Sequence, residues 1–146
     1  MKVFRSNVIS VLLYGCETWK VTATTTQRLQ VFVNRCLSRI LRIRWPDRIT
    51  NAELHKICEF DELRRMVKRR KWSWIGHTLR RSIEEIARQA LDWNPQGNRR
   101  RGRPRQTWRR SVLDEASAAG KQWKEVKALA QNRVRWRSFI DALCTD

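Results

Sequence analysis

Acidic charge is scarce in this 146-residue sequence: 14 Asp and Glu stand against 32 Lys and Arg, for a formal net charge of +18. Polymerase or nuclease chemistry draws on clustered aspartates to hold magnesium, and no two aspartates are adjacent anywhere in the chain. A Gly-rich phosphate loop, a serine elbow and a convergent carboxylate pair are missing as well. The chain is therefore expected to carry no catalytic residues. Long apolar runs are equally scarce. The longest, Val8 to Tyr14 with Ser10 inside it, falls far short of the roughly 20 residues of a membrane-spanning helix. Met1-Lys2 leads into polar Arg5-Ser6-Asn7, which excludes a secretory signal and predicts an intracellular chain. The four cysteines, Cys16, Cys36, Cys58 and Cys144, lie at wide irregular intervals, a pattern that predicts packed thiols and no disulfide framework. Only one close pair of metal-ligand type exists, His55 with Cys58, whereas zinc modules offer two. Strand-like alternation and repeats at a solenoid period are absent too.

What is present is helical periodicity, and it predicts an all-α fold. From Gln27 to Arg44 the residues Leu29, Phe32, Val33, Cys36, Leu37, Ile40 and Leu41 fall on one side at helical spacing. Residues 2 to 14 read as an apolar helix, and Gly15 to Thr26 as a threonine-rich connector. Thr50-Asn51-Ala52-Glu53 has capping-box spacing for a short helix ending near Cys58. Asp61 is placed to cap a longer helix running from Glu62 to about Arg81. Within it Leu63, Met66, Val67, Trp74 and His77 share one face, and Trp72, Ile75 and Leu79 lie toward the opposite one. Ser82 and Glu85 have the spacing of another capping box, for a helix ending near Trp93. Beyond a Gly- and Pro-bearing stretch, Pro104 to Ala119, Lys121 to Gln131 and Asn132 to Leu143 read as three helices. The last two are expected to bury Trp123, Val126, Leu129, Val134, Phe139, Ile140 and Leu143.

The basic residues are unevenly spread, at net +6 over residues 1–60, +11 over 61–110 and +1 over 111–146. Charge concentrated in this way points to a polyanionic partner, because each phosphate neutralised releases condensed counterions. Three elements carry the expectation. Arg28, Arg35, Arg39 and Arg42 form a narrow stripe on the side of their helix away from the apolar face, with no acid interleaved. The run Lys68-Arg69-Arg70-Lys71 adds Lys68, Arg69 and Lys71. Asn98 to Arg110 holds seven arginines and no acid. Its centre, Arg101-Gly102-Arg103-Pro104, is an extended element of AT-hook type, in which glycine allows close approach to a narrow groove and arginines reach along its floor. Arg99, Arg100, Arg105, Trp108 and Arg109 flank it, and Trp108 among these arginines could stack on a base. A plain basic loop with Pro104 opening the next helix accounts for the same residues. Most of the eight tryptophans, Trp123 and Trp136 above all, read as core.

Together these residues resemble the carboxy-terminal thumb and tail of the reverse transcriptases encoded by LINE-type non-LTR retrotransposons. Leu13-Tyr14-Gly15-Cys16-Glu17-Thr18-Trp19 is similar to the signature just downstream of the polymerase palm. Arg35-Cys36-Leu37 with Trp45, Asp47, Ile49 and Asn51 continues into the thumb, followed by Trp74-Ile75-Gly76-His77 and Arg80. Ala90-Leu91, then Gly97, Arg101-Gly102-Arg103-Pro104 and Trp108, and last Trp123 and Trp136-Arg137, keep the order and approximate spacing of the family's tail.

The resemblance implies a parent enzyme that copies RNA into DNA at a nicked target, with an amino-terminal endonuclease and a palm that binds Mg2+. Neither part is in this sequence, and the zinc knuckle of some relatives is missing. It implies a truncated fragment in which Arg28, Arg35, Arg39 and Arg42 follow template and primer and Arg99 to Arg105 lie in the basic tail. No catalytic residue, metal ligand or cofactor is carried over, and the implied partners are nucleic acid and the missing palm. Residues 1–93 are then a thumb-like bundle, in which Val8, Leu12 and Leu13 are expected to expose an apolar patch. Residues 94–103 form a basic linker and 104–146 a helical appendage. The competing readings are a free-standing AT-hook-like DNA-binding protein and a nonfunctional retrotransposon remnant. Two basic runs, Lys68 to Lys71 and Arg99 to Arg105, suggest the nucleus.

Overall fold

The computed structural model describes residues 1–44, 46–93 and 107–145, and every regular element among them is helical. The chain divides into two compact units, Met1–Lys68 and Arg69–Asp146. The linker expected over 94–103, with Pro104, lies outside the described residues. The division into these two units falls within the helix Leu63–Leu79, whose two ends serve different cores.

In the first unit a π-helical stretch, Phe4–Ile9, runs into α1 (Ser10–Leu12), and a 3₁₀ turn covers Cys16–Thr18. Of the patch expected at Val8, Leu12 and Leu13, Val8 is exposed, Leu12 is half-buried and Leu13 is buried, and Val3, Val11 and Tyr14 add exposed apolar surface near Val8 in the sequence. Helix α2 (Ala23–Ile40) starts earlier than its apolar periodicity predicts. Thr22 caps it by accepting from the Thr25 N–H at 3.1 Å, and the Thr26 hydroxyl donates to the Thr22 carbonyl at 3.0 Å, so the threonine run forms a first turn. It also ends earlier, at Ile40. The Arg42 N–H donates to Arg39 O at 3.1 Å and the Ile43 N–H to Ser38 O at 3.0 Å, a Schellman closure that puts Arg42 in the left-handed region at φ 57°.

Helix α3 (Asn51–Cys58) carries the expected capping box, with Thr50 accepting from Glu53 N–H and the Glu53 carboxylate accepting from Thr50 N–H at 2.8 Å. Arg5 donates to the carbonyls of Cys58 and Glu59 at its other end, where the helix dipole favours a cation. Helix α4 (Leu63–Leu79) receives help from another helix at its start: the Leu63 N–H donates to the Gln30 side-chain oxygen at 2.8 Å. Gln30 also donates to Asn34 at 2.9 Å, and Asn34 lies 2.7 Å from His55 Nε2, which ties α2 to α3. Around this polar seam pack Val33, Leu37, Leu54, Cys58, Phe60, Leu63 and Val67.

The second unit takes Trp72, Ile75 and Leu79 from α4, joined by α5 (Ile86–Asp92), α6 (Trp108–Ala118), α7 (Trp123–Ala130) and α8 (Arg133–Leu143). Ser82 and Glu85 form no capping box: Glu85 is itself the N-cap of α5, and its carboxylate pairs with Arg81 at 2.6 Å. Helix α6 opens at Trp108, capped by Thr107. Gly120, at φ 68°, closes its far end, with Lys121 N–H donating to Ala116 O at 2.9 Å. The core holds Trp72, Ile75, Leu91, Val112, Val126, Trp136, Ile140 and Leu143, while Val134, expected inside, is exposed on the far side of α8.

Candidate nucleic-acid interface

In the first unit, three arginines of the predicted stripe stand on α2 as the helix geometry requires. Arg28, Arg35 and Arg39 are exposed, and no described carboxylate pairs with any of them. At 100° per residue they lie within about 40° of one another and about 140° or more from Leu37, the centre of the buried face. The eighteen residues of α2 contain no Asp or Glu. Arg42 departs from the pattern. It is exposed but lies past the helix end, in a backbone conformation that disfavours every side chain bearing a Cβ, so it sits beside the stripe's end and not on it.

The run Lys68 to Lys71 separates into different roles. Lys68 is half-buried in the first unit, and Arg69 is exposed and paired with Asp141 at 2.6 Å in the second. Lys71 is a correction to the predicted set. Its ammonium is buried against Glu115 at 2.5 Å, and the same carboxylate accepts from Trp72 Nε1 at 2.6 Å. A cation held in this way is turned away from any phosphate at the surface.

Trp108 and Arg109 are likewise engaged. The Trp108 ring is half-buried and meets Trp74 edge to face, with centroids 5.9 Å apart. Arg109 donates to the Leu91 and Trp93 carbonyls at 2.8 and 3.2 Å, closing the end of α5. Arg99, Arg100, Arg101, Arg103 and Arg105 lie outside the described residues.

The conspicuous tryptophan block turns out to be structural. Gly76 lies against the Trp136 indole so closely that an added Cβ would stand 2.0 Å from Trp136 Nε1, whose N–H donates to the Trp72 carbonyl at 3.2 Å. Arg80 donates to Ala130 O at 2.9 Å, and burial together with Arg133 holds its pKa below the ordinary arginine value. His77 is exposed and accepts from Arg81 Nε at 3.2 Å. Burial pushes the Cys58 thiol up, as for an inert packing group. Among the described residues no three His, Cys, Asp or Glu side chains converge.

One residue of the α2 face escaped the sequence reading. Phe32, assigned there to the core, is 45% exposed. The signal was available, since at helical spacing Phe32 lies about 20° from Arg39 and about 40° from Arg28, closer to the stripe than to Leu37.

No protein-family model matches the chain, and no solved structure is recognisably similar to it. Among curated proteins it is similar to a putative uncharacterized transposon-derived protein of Caenorhabditis elegans, at 26% identity over 149 residues. The similarity takes in 96% of this chain and 53% of that protein, so the chain spans about half the length of the relative it matches. No described helix is long and apolar enough to cross a membrane.

Proposed function

We propose that this chain is the thumb-and-tail fragment of a LINE-type non-LTR retrotransposon reverse transcriptase, of transposon origin like its nematode relative, and that it binds nucleic acid without catalysing a reaction. The observation that carries the reading is the face of α2: three exposed arginines in line, with neither a carboxylate on the helix nor a described one against it. A face of this kind is suited to backbone phosphates and carries no base-reading geometry of its own. In this reading the magnesium-dependent step belongs to a palm absent from the sequence, and the exposed Val3, Val11 and Tyr14 are surface that the palm would cover. The basic runs Lys68 to Lys71 and Arg99 to Arg105 are what support the nucleus as its compartment.

The test is binding of the full chain to an RNA/DNA hybrid, an A·T-rich duplex and a G·C-rich duplex across a salt series. Simultaneous Arg28→Ala, Arg35→Ala and Arg39→Ala should weaken all three alike. The slope of log K against log salt should fall by about 0.9 for each duplex phosphate contact removed, nearly 3 in total. An unchanged slope would refute the thumb-face reading. A·T-selective binding abolished by Arg101→Ala with Arg103→Ala would favour a free-standing AT-hook-like protein, and no binding near physiological salt would leave the remnant.

A further inference from the structure

We propose that Phe32 is a stacking platform for an unpaired nucleotide, so that the α2 face takes the single-stranded end of a nucleic acid in preference to continuous duplex. The inference rests on the phosphate-binding role given above to Arg28, Arg35 and Arg39. Phe32 is 45% exposed, whereas its neighbours Val33 and Leu37 on the buried face are 0% exposed. No described ring or cation covers it: the cation–π pairs are Arg5 with Phe60 and Lys127 with Trp123, and Phe32 enters none of the aromatic pairs. Nearly half of the residue is therefore open to solvent.

The spacing gives that exposure a use. At a 1.5 Å rise per residue, Phe32 stands about 6 Å above Arg28, about 4.5 Å below Arg35 and about 10.5 Å below Arg39 along the axis. A strand laid on α2 would pass phosphates over Arg28 and Arg35 and bring a base to the ring between them. Within a duplex the base faces are already stacked on one another and cannot reach a flat side chain. At an overhang they can, and a phenyl ring, which has no hydrogen-bonding atom, accepts any base. Charge selects this occupant over an apolar protein surface, since the ring is flanked by three arginines and α2 carries no acid.

The experiment compares a blunt duplex with the same duplex bearing a three-nucleotide overhang, in DNA and RNA versions, with 2-aminopurine in the overhang as a stacking reporter. The native chain should prefer the overhang about tenfold and quench the reporter, matching a typical base–aromatic contact. Phe32→Leu keeps apolar bulk without the π face and should abolish both effects while leaving blunt-duplex affinity and its salt slope unchanged. Phe32→Trp should restore them. Whichever sugar gives the larger preference identifies the strand. Equal binding of blunt and overhang probes by the native chain, or a preference that survives Phe32→Leu, would overturn the Phe32 proposal alone. Absence of binding to any probe would overturn the arginine reading with it. Polyglutamate binding as tightly as the overhang at equal charge would replace nucleic acid with an acidic protein as the occupant.

Discussion

Gly76 shows how much one missing side chain can decide. The Trp136 indole is buried, donates to the Trp72 carbonyl, and lies in the space a Cβ at position 76 would need. Trp136 in turn packs against Trp72 and Phe139 at centroid distances of 5.9 and 5.5 Å, so it cannot retreat without moving both. Gly76→Ala should therefore destabilise the second unit by about 2–3 kcal/mol, at the upper end of overpacking costs, despite the better helix propensity of alanine. Chemical denaturation followed by tryptophan fluorescence checks this, and an unchanged or raised midpoint would show that the indole can shift. The same scale explains Lys71. Read as a letter in a basic run it resembles its neighbours, but on α4 it stands between the buried Val67 and Ile75, one turn to either side, and is turned inward to Glu115. Phe32 is the reverse case, an apolar letter at the margin of an apolar stripe, where an angular shift of a few tens of degrees separates core from surface.

At the scale of the element, helix ends are where charge and pH enter. Asp92, the last residue of α5, accepts from Lys127 Nζ at 2.7 Å and from Trp123 Nε1 at 3.0 Å, which ties α5 to α7. Burial by itself would raise this carboxyl, but the hydrogen bonds from Lys127 and Trp123, with the charges of Lys127 and Arg88, outweigh it and leave the pKa below the ordinary aspartate value. Glu53, in the α3 capping box, is lowered by hydrogen bonds from the Thr50 backbone and hydroxyl. A carboxylate with a depressed folded pKa contributes stability that is fully present above its unfolded value, near 4, and is lost as pH falls through the folded value. Asp92→Asn should thus flatten the acid limb of the stability curve below about pH 4.5 and lower stability at neutral pH. A denaturation series from pH 7 to pH 3 tests this, and parallel curves for the two proteins would refute it. Element boundaries were legible where the signal is local, as in the Thr50/Glu53 box and the last two carboxy-terminal helices. The start of α4 was missed because its partner is remote, Gln30 being 33 positions away, and the Ser82/Glu85 box because the Glu85 carboxylate pairs with Arg81 one turn back.

Across the whole molecule, α4 explains why sequence punctuation and the division of the fold do not coincide. Its two apolar faces were visible as Leu63 and Val67 on one side and Trp72, Ile75 and Leu79 on the other. In the fold the first pair belongs to one core and the later three to the other, so the boundary falls within a helix and not at a glycine or proline. Bonds such as Trp136 to Trp72, across 64 positions, set that boundary and have no short-range signature. The α2 face was legible because it depends only on helical period and the absence of acid, both local properties. If each core sustains its own unit, Leu37→Ala, at a fully buried site of the first, and Ile140→Ala, at a buried site of the second, should act on different amides. Each truncation should cost about 2–5 kcal/mol. Native-state hydrogen exchange should then show protection falling in α2 and α3 for Leu37→Ala with α6 to α8 preserved, and the reverse for Ile140→Ala. A uniform fall throughout either variant would mean that α4, continuous through both units, couples them into one cooperative transition.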